Sequence, residues 1–278
     1  PEDWFSDLLY QQGIQSIRSY QYAFGSYAKQ GYLSKNVKLG IGPGYEGVKL
    51  YPELQKQALD KVSAFSRVYQ REEEFISALL NSTAEPNEQL IEEYDERRIF
   101  NMGYSQTISG ASAFVLTQAL IAQSSQKDVD FLLPRAVIRS TLLRELLSKV
   151  GFEDDAIFIG SPDELSNERN YTIRIFLTRI GADEDYRLLQ QLATGSVVCS
   201  GDSSISEAFS CGGLPFFEYK HGPIGRFYDS NIPDTIDEIP EYGCKELKLY
   251  FDYLTKFRTL NESITCELAC EPEQEVDE

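Results

Sequence analysis

The stretch SGDSSISEAF has the residue types of a site that binds a phosphate group. Gly201 ends a short apolar run and permits a tight turn, and Asp202 or Ser203 can cap the helix that follows. The free amides at the start of that helix, with the positive end of its dipole behind them, would attract an anion. Glu207 lies one turn further on, where a carboxylate can accept hydrogen bonds from a ribose diol. The alternative is a capping box, in which Ser203 or Ser204 pairs with Glu207 and no ligand binds.

An earlier stretch, NMGYSQTISGAS, repeats this design. Gly103 follows an apolar run, and Ser105, Gln106 and Thr107 open a helical pattern. Each turn alone is a weak signal, but two such turns at strand-to-helix junctions of one sheet favour a site that holds a diphosphate. The alternative of two ordinary helix caps stays open at this point.

Short apolar strands alternate with helical patterns between residues 97 and 235. The predicted strands are RRIFNMG, DVDFLLP, DAIFIG, YTIRIFLT, SVVCS and LPFFEY. This alternation is typical of a parallel sheet with helices on both faces. The sequence therefore predicts an α/β fold in which residues 97–235 form a Rossmann-like domain.

The two flanking segments have different patterns. Residues 1–96 predict a mainly helical segment that contains the glycine-rich loop VKLGIGPGYEGVKL, a helical stretch over 51–81 and the connector STAEPNEQ. Residues 236–278 predict one helix, CKELKLYFDYLTKFRTL, followed by the acidic tail CEPEQEVDE.

Ligands of such sheets bind at the carboxyl ends of the strands. The rule selects the junctions after IFNMG, RIFLTR and VVCS. A shared diphosphate site further requires the IFNMG and VVCS strands to be neighbours at the point where the strand order reverses. Arg135, which follows DVDFLLP, either faces the same crevice or is solvated.

The composition narrows the classes of function. The chain has 278 residues, of which 42% are hydrophobic, so it can bury a substantial core. Its net charge of −18 argues against a protein that binds nucleic acid or anionic lipid, since both need a basic surface. No apolar run of about 18 residues and no signal peptide is present, so we expect a soluble, cytoplasmic protein without a transmembrane segment.

Cysteine and histidine usage limits metal and redox chemistry. Cys199 and Cys211 lie in apolar runs and are expected to be reduced and buried, whereas Cys266 and Cys270 either pair or share one helix face. His221 is the chain's one histidine, so no histidine-based metal cluster is expected. The acidic run ADEDY is better explained as a helix N-terminus than as a metal site.

These motifs, in this order, resemble the donor-binding half of the GT-B glycosyltransferases. The closest resemblance is to the lipid II-forming N-acetylglucosaminyltransferase family of peptidoglycan synthesis, and it spans about residues 97–231. GYSQTISGAS is similar to that family's Gly-Gly-Ser-Gln-Gly-Ala turn. SGDSSISEAFSCGGLPFFEYKH is similar to its Ser-Gly-Ala-Leu-Thr-Val-Ser-Glu motif, which is followed by Gly-Leu-Pro and a His.

The resemblance implies roles for particular positions. Glu207 would bind the ribose, and the turn after the RIF strand would hold the base. The residues it implies around the donor, by position, are Gly103, Ser105, Gln106, Asp202, Ser203 and Ser204 for the diphosphate, and Phe176 and Leu177 for the base.

Two positions depart from the family pattern. Arg226 stands near the place where the family has a pair of glutamines that contact the donor sugar. GIGPGYEGV stands where the family has a Gly-Asn-Pro loop with a phosphate-binding arginine, and it offers Tyr45 and Glu46 instead. Residues 1–96 are too few and too helical for a complete acceptor domain of that family, so they predict a remnant or a rebuilt acceptor side.

The resemblance implies a hexosyltransferase that uses a nucleoside-diphosphate sugar, with a UDP-sugar favoured, and that needs neither a metal nor a separate cofactor. The acceptor would be a glycan, a lipid or a protein. The base that deprotonates the acceptor would be Glu46, Glu218 or His221. Two alternatives stay open: a degenerate GT-B domain that only binds a nucleotide or a protein partner, and a sugar-nucleotide epimerase.

Overall fold

The computed structural model describes residue 51 and residues 60–166, 168–200, 202–218 and 245–270. The chain divides into two compact units. The larger unit comprises Leu50–Ser200, Ser204–Glu218 and Lys256–Glu278, and the other comprises Pro1–Lys49, Gly201–Ser203 and Tyr219–Thr255. The sheet and the cavities considered below belong to the larger unit.

Six parallel strands form one sheet, which confirms the predicted α/β, Rossmann-like class. The strand order is β3-β4-β2-β1-β5-β6. The strands are β1 (Arg98–Gly103), β2 (Asp128–Leu132), β3 (Ile157–Gly160), β4 (Ile173–Phe176), β5 (Ser196–Cys199) and β6 (Leu214–Phe217). All six coincide with predicted apolar runs, because each is a short stretch of Val, Ile, Leu and Phe bounded by turn residues.

The strand order reverses between β1 and β5. From β1 the chain proceeds to β2 on one side, and after β4 it crosses to β5 on the other side of β1. Gly103 at the end of β1 pairs with Val198 of β5. The expectation that the IFNMG and VVCS strands are neighbours at the switch point is therefore confirmed.

Eight α-helices are described. They are α1 (Lys61–Tyr69), α2 (Glu73–Leu80), α3 (Glu88–Arg97), α4 (Ile108–Ser124), α5 (Ser140–Lys149), α6 (Asp183–Leu192), α7 (Asp202–Ser210) and α8 (Lys245–Cys270). The stretch predicted as helical throughout 51–81 contains a break between α1 and α2. Phe65, Val68 and Phe75 are buried, and in one continuous helix position 72 would lie on the same buried face. Position 72 is a glutamate, and the helix is interrupted there.

Helices α1 to α3 pack on one face of the sheet. Phe75 of α2 lies edge-on to Phe176 of β4, with 5.5 Å between ring centroids, and also contacts Phe100 of β1. Residues 61–97 thus share a hydrophobic core with the strands. The predicted functional division at 96/97 and 235/236 stays a prediction.

The opposite face of the sheet packs against α4. Phe114 of α4 contacts Phe131 of β2 and Phe216 of β6, with ring centroids 6.0 and 5.9 Å apart, and Phe216 in turn contacts Phe257 of α8. Both sheet faces are therefore buried, as the near-continuous apolar strands require.

The prediction that Cys199 and Cys211 are reduced and buried is confirmed. Cys199 and Cys211 are buried free thiols, and Cys266 is a free thiol on α8, so the alternative of a Cys266–Cys270 disulfide is wrong. Within the described residues no helix has both the length and the apolar composition to cross a membrane.

Candidate functional site

A cavity of about 620 Å³ opens at the carboxyl ends of β1, β2 and β4. We call it the carboxyl-edge pocket. Its apolar floor consists of Leu132, Leu133, Pro134, Leu177 and Ile180. Two tyrosines, Tyr104 and Tyr186, and two arginines, Arg135 and Arg179, complete the lining that bears on its chemistry. A cavity of this size with an apolar floor and few polar groups has the properties of a small-molecule site.

Gly103 makes the first wall of this pocket possible. Its φ is +142°, and a Cβ at this position would collide with the backbone of Val198 in the neighbouring strand. The amide of Tyr104 then donates to the carbonyl of Val198 at 3.0 Å, which turns the chain out of the sheet. The Tyr104 ring is left 52% exposed at the pocket.

Arg135 and Arg179 supply the positive charge of the pocket. Both side chains are exposed, and neither makes an ion pair or a side-chain hydrogen bond with any described residue. Arg67 and Arg187, which are also exposed, have carboxylate partners in Glu184 and Glu207. In a chain of net charge −18, two guanidinium groups that have no partner among the described residues make this cavity a candidate site for an anion.

The two arginines occupy equivalent places after their strands. Arg135 stands three residues after Leu132, the last residue of β2, and Arg179 stands three residues after Phe176, the last residue of β4. The phrases FLLPR and IFLTR carry this spacing in the sequence. The role of Arg135 was left open by the sequence and Arg179 was not predicted, although this repeated spacing could have identified both.

Tyr186 closes the side of the pocket that faces β5. Burial raises the pKa of its phenol, and the nearby Cys199 and Glu207 add to the effect. The phenol therefore stays neutral and can act as a hydrogen-bond donor beside a planar apolar surface.

The first predicted phosphate turn is already hydrogen-bonded within the protein. The hydroxyl of Ser105, which is buried, donates to the carbonyl of Thr107 at 3.0 Å. The amide of Gln106 donates to Glu218 Oε2 at 2.9 Å. Thr107 caps α4 by accepting a hydrogen bond from the amide of Gly110 at 3.0 Å, and its hydroxyl donates to Glu218 Oε1.

Glu218 thus lies at the N-terminus of α4. Its side chain is fully buried, and its amide donates to the carbonyl of Cys199 at 2.7 Å, which fixes the chain at the end of β6. A Cβ at Gly110 would collide with the Glu218 side chain, so the glycine in the first turn of α4 makes room for it. That helical glycine was the sequence signal for a close approach to this helix end.

The second predicted turn is described in part. The carbonyl of Ser204 accepts a hydrogen bond from Cys199 Sγ at 3.4 Å. Glu207 is 29% exposed on α7, and its Oε1 lies 3.9 Å from the guanidinium of Arg187. Glu46, Gly201, His221 and Arg226 lie outside the described residues, as do the side chains of Asp202 and Ser203.

The turn predicted to hold the base divides into a core residue and a pocket residue. Phe176 is fully buried against Phe75 and Phe158, so its ring belongs to the core. Leu177 lines the carboxyl-edge pocket, and its amide donates to the carbonyl of Gly160 at 2.9 Å. Among the predicted site residues that the structure describes, Gly103 and Leu177 line this pocket.

The acidic run at 182–186 opens α6, as the sequence analysis preferred. Glu184 pairs with Arg67, and the buried Asp185 lies 3.3 Å from Arg71. No group of three or more histidine, cysteine, aspartate or glutamate side chains with metal-binding geometry occurs among the residues that the structure describes.

No protein-family model and no curated protein matches the chain significantly. Two solved structures are similar to it. One is described as trehalose-6-phosphate from E. coli bound with UDP-2-fluoro glucose. It is 10% identical to this chain, and the match covers 66% of this chain and 46% of the solved structure, with a TM-score of 0.30. The other is an alpha,alpha-trehalose-phosphate synthase (UDP-forming) from Burkholderia vietnamiensis, 10% identical, with 95% of this chain and 59% of its own covered and a TM-score of 0.31.

The chain spans about half the length of these two solved structures. Neither is the lipid II-forming transferase that the motifs resemble. The assignment of the chain to the Rossmann-like α/β class rests on its own six-stranded parallel sheet.

Proposed function

We propose that the carboxyl-edge pocket binds a nucleoside-diphosphate sugar and that the protein is a hexosyltransferase of GT-B type, with a UDP-sugar as the favoured donor. One observation carries the proposal: two arginines without a partner among the described residues stand over an apolar, tyrosine-lined pocket at the carboxyl ends of parallel strands. Guanidinium groups match the charge and geometry of a diphosphate. The apolar floor and the tyrosine rings suit a planar base.

The arginines replace the helix amides as the proposed diphosphate ligands. The sequence alone pointed to the amides near Gln106, but the carboxylate of Glu218 accepts the Gln106 N–H and lies against the first turn of α4. A second anion at that helix end would meet a buried negative charge. Arg135 and Arg179 have no such competitor among the described residues, and they support the binding of a diphosphate without a metal.

The proposed reaction transfers the sugar from the diphosphate to an acceptor oxygen. The bond between sugar C1 and the diphosphate oxygen breaks, and its electron pair leaves with the nucleoside diphosphate. An acceptor oxygen of a glycan, a lipid or a protein forms the new bond to C1 and gives its proton to a base. The two guanidinium groups stabilise the charge that develops on the leaving group. Glu46 and His221 remain the proposed bases, whereas Glu218 acts as a helix cap.

A nucleotide panel in a thermal-shift assay tests the binding half of this proposal. Because a ligand that binds only the folded state raises the unfolding temperature, one nucleoside diphosphate should give a selective upward shift, and UDP is expected to be that ligand. Release of UDP from a labelled UDP-sugar in the presence of candidate acceptors tests the transfer half. The absence of a shift with every nucleoside diphosphate would contradict the proposal.

A second candidate function is a GT-B-like domain that binds a nucleotide or a protein partner without turnover. Glu218 favours it, since a side chain of the protein itself occupies the helix end that the family resemblance assigns to phosphate. A selective shift with UDP, combined with no UDP release from any UDP-sugar, would support this candidate. Release of an epimerised UDP-sugar would instead indicate the epimerase alternative.

A further inference from the structure

We infer that the protein has a second anion site, at the amino ends of the strands, that binds a small phosphate monoester of a polyol. A cavity of about 240 Å³ lies there, between the end of α2, helix α3 and the first residues of β1 and β2. We call it the amino-edge cleft. The inference does not depend on the proposed transferase activity.

The floor of the cleft is a buried charge network whose groups are already satisfied. Asp130 accepts hydrogen bonds from Arg98 Nε at 2.9 Å, from Arg174 Nε at 2.7 Å and from the Tyr94 hydroxyl at 2.8 Å. Arg174 also donates to the carbonyls of Ala78 and Leu79 at the end of α2. These arginines therefore hold the elements together and leave little capacity for a ligand.

The rim of the cleft carries the free charge. Arg97 and Arg169 line the cleft, their side chains are exposed, and neither makes an ion pair or a side-chain hydrogen bond to a described residue. Of the arginines that the structure describes, four are in this state, and each lines one of the two cavities: Arg97 and Arg169 here, Arg135 and Arg179 at the carboxyl edge. In an acidic protein this distribution indicates two anion sites.

The remaining lining specifies the chemistry of the ligand. Two guanidinium groups suit a phosphate dianion. Glu93 and Asp128 offer carboxylate oxygens, and Asn81 and Asn170 offer amides, which together can accept from and donate to hydroxyl groups. Pockets that bind drug-sized ligands usually have volumes of about 300 Å³ or more. This cleft is smaller, so it suits a smaller ligand. A phosphate on a short polyol meets all three conditions.

The cleft is separate from the carboxyl-edge pocket. Strand β2 contributes Asp128 to the cleft and Leu132 to the pocket, and these residues are about 13 Å apart at about 3.3 Å per strand residue. A ligand in one cavity therefore does not overlap a ligand in the other, and the two sites can be tested independently.

Calorimetric titration with glycerol 3-phosphate, glycerol and inorganic phosphate tests the inference. We expect saturable binding of glycerol 3-phosphate, weaker binding of inorganic phosphate and none of glycerol. The double variant Arg97→Gln/Arg169→Gln should weaken glycerol 3-phosphate binding at least tenfold. The double variant Arg135→Gln/Arg179→Gln and the surface control Arg144→Gln should leave it unchanged.

Three results would overturn the inference: no saturable binding of glycerol 3-phosphate, unchanged binding in Arg97→Gln/Arg169→Gln, or loss of binding in Arg135→Gln/Arg179→Gln. A measurement on the unmodified protein guards against a variant that fails to fold. Glycerol 3-phosphate should protect Arg97 and Arg169 from modification by phenylglyoxal, as mapped by mass spectrometry. Equal modification with and without the ligand would contradict the site.

Discussion

At the scale of single residues, Glu218 changes how the first glycine turn is understood. Gly-rich turns before helices bind phosphate because their amides are unsatisfied. Here the amide of Gln106 and the hydroxyl of Thr107 both donate to a carboxylate that the chain brings from the end of β6. The same local sequence therefore serves as a helix cap, an alternative that the sequence analysis had left open.

Replacement of Glu218 by glutamine should destabilise the fold. The amide side chain keeps the shape but loses the charge that accepts from Gln106 and Thr107 and that interacts favourably with the N-terminus of α4. Hydrogen bonds to a charged group contribute about 1.5–3 kcal/mol, so Glu218→Gln should lower the free energy of unfolding by about that amount. Urea denaturation measures it, with Glu92→Gln, an exposed position on α3, as the control. Equal stability of Glu218→Gln and the wild type would show that the charge has no role here.

Glu207 is the residue through which ribose recognition can be tested. It lies on α7, and its Oε1 is 3.9 Å from the guanidinium of Arg187, the residue that follows Tyr186 in the chain; its side chain is 29% exposed. Glu207→Ala should weaken binding of a UDP-sugar by about 1.5–3 kcal/mol, the range for loss of a charged hydrogen-bond acceptor, without unfolding the protein. Arg187→Gln removes the neighbouring charge and serves as the control. A dissociation constant that Glu207→Ala leaves unchanged would reduce this glutamate to a structural role.

At the scale of elements, the sequence predicted the strands better than the helices around them. Each strand is an apolar run with turn residues on both sides, which is a local signal. Helix α3 lies within the segment predicted as mainly helical, but no separate helix was assigned to it, because EQLIEEYDER buries only Ile91 and Tyr94 and thus has a weak apolar stripe. Its position depends on a nonlocal contact, since the Tyr94 hydroxyl reaches Asp130 of β2.

A cavity lies at the sheet edge to which the sequence points, and Gly103 and Leu177 line it. That a ligand binds there stays a prediction. The burial of Phe176 and the capping role of Glu218 depend on packing between distant segments, which no local pattern encodes.

The ion pairs of Asp130, which join β1, β2 and β4, should make the stability of the fold depend on pH. Burial alone would raise the pKa of Asp130, but Arg174 and Arg98 beside it lower that pKa below its usual value. Because the folded-state pKa lies below the unfolded one, the carboxylate stabilises the fold above the unfolded pKa of about 3.9. That contribution is lost as the pH falls through the folded-state pKa.

The variant Asp130→Asn should remove this contribution and leave the buried guanidinium of Arg174 without its counterion, whereas Arg98 keeps its ion pair with Asp128. Breaking a buried ion pair from one side costs about 3–5 kcal/mol, so the variant should be markedly less stable at pH 7. Its free energy of unfolding should also decrease less than that of the wild type as the pH falls below about 4. Urea denaturation at pH 3 to 7 checks both. An acid profile of the variant parallel to that of the wild type would assign the pH dependence to other groups.

At the scale of the whole molecule, an acidic chain must bind an anion against its own field. Its 44 acidic residues outnumber its 26 basic ones, and most described arginines are paired with carboxylates. The two cavities differ from the rest of the described surface because each keeps two arginines unpaired. We therefore propose that any anion bound by this protein is held by these local guanidinium groups.

Chelation should leave UDP binding intact. Since Arg135 and Arg179 are proposed to neutralise the diphosphate, EDTA should change neither the dissociation constant of UDP nor the rate of UDP release from a UDP-sugar. Assays in EDTA, in Mg²⁺ and in Mn²⁺ make the comparison. Loss of activity in EDTA that Mn²⁺ restores would point to a metal-dependent transferase.

The most direct test of the account is the dissociation constant of UDP for Arg135→Gln/Arg179→Gln, measured by titration calorimetry. The account predicts that UDP binds the double variant at least tenfold more weakly than the wild type, a loss of about 1.4 kcal/mol or more. Arg144→Gln, which removes a half-buried arginine paired with Asp154, should bind UDP as the wild type does. Equal affinity of the double variant and the wild type for UDP would contradict the assignment of the diphosphate to the carboxyl-edge pocket.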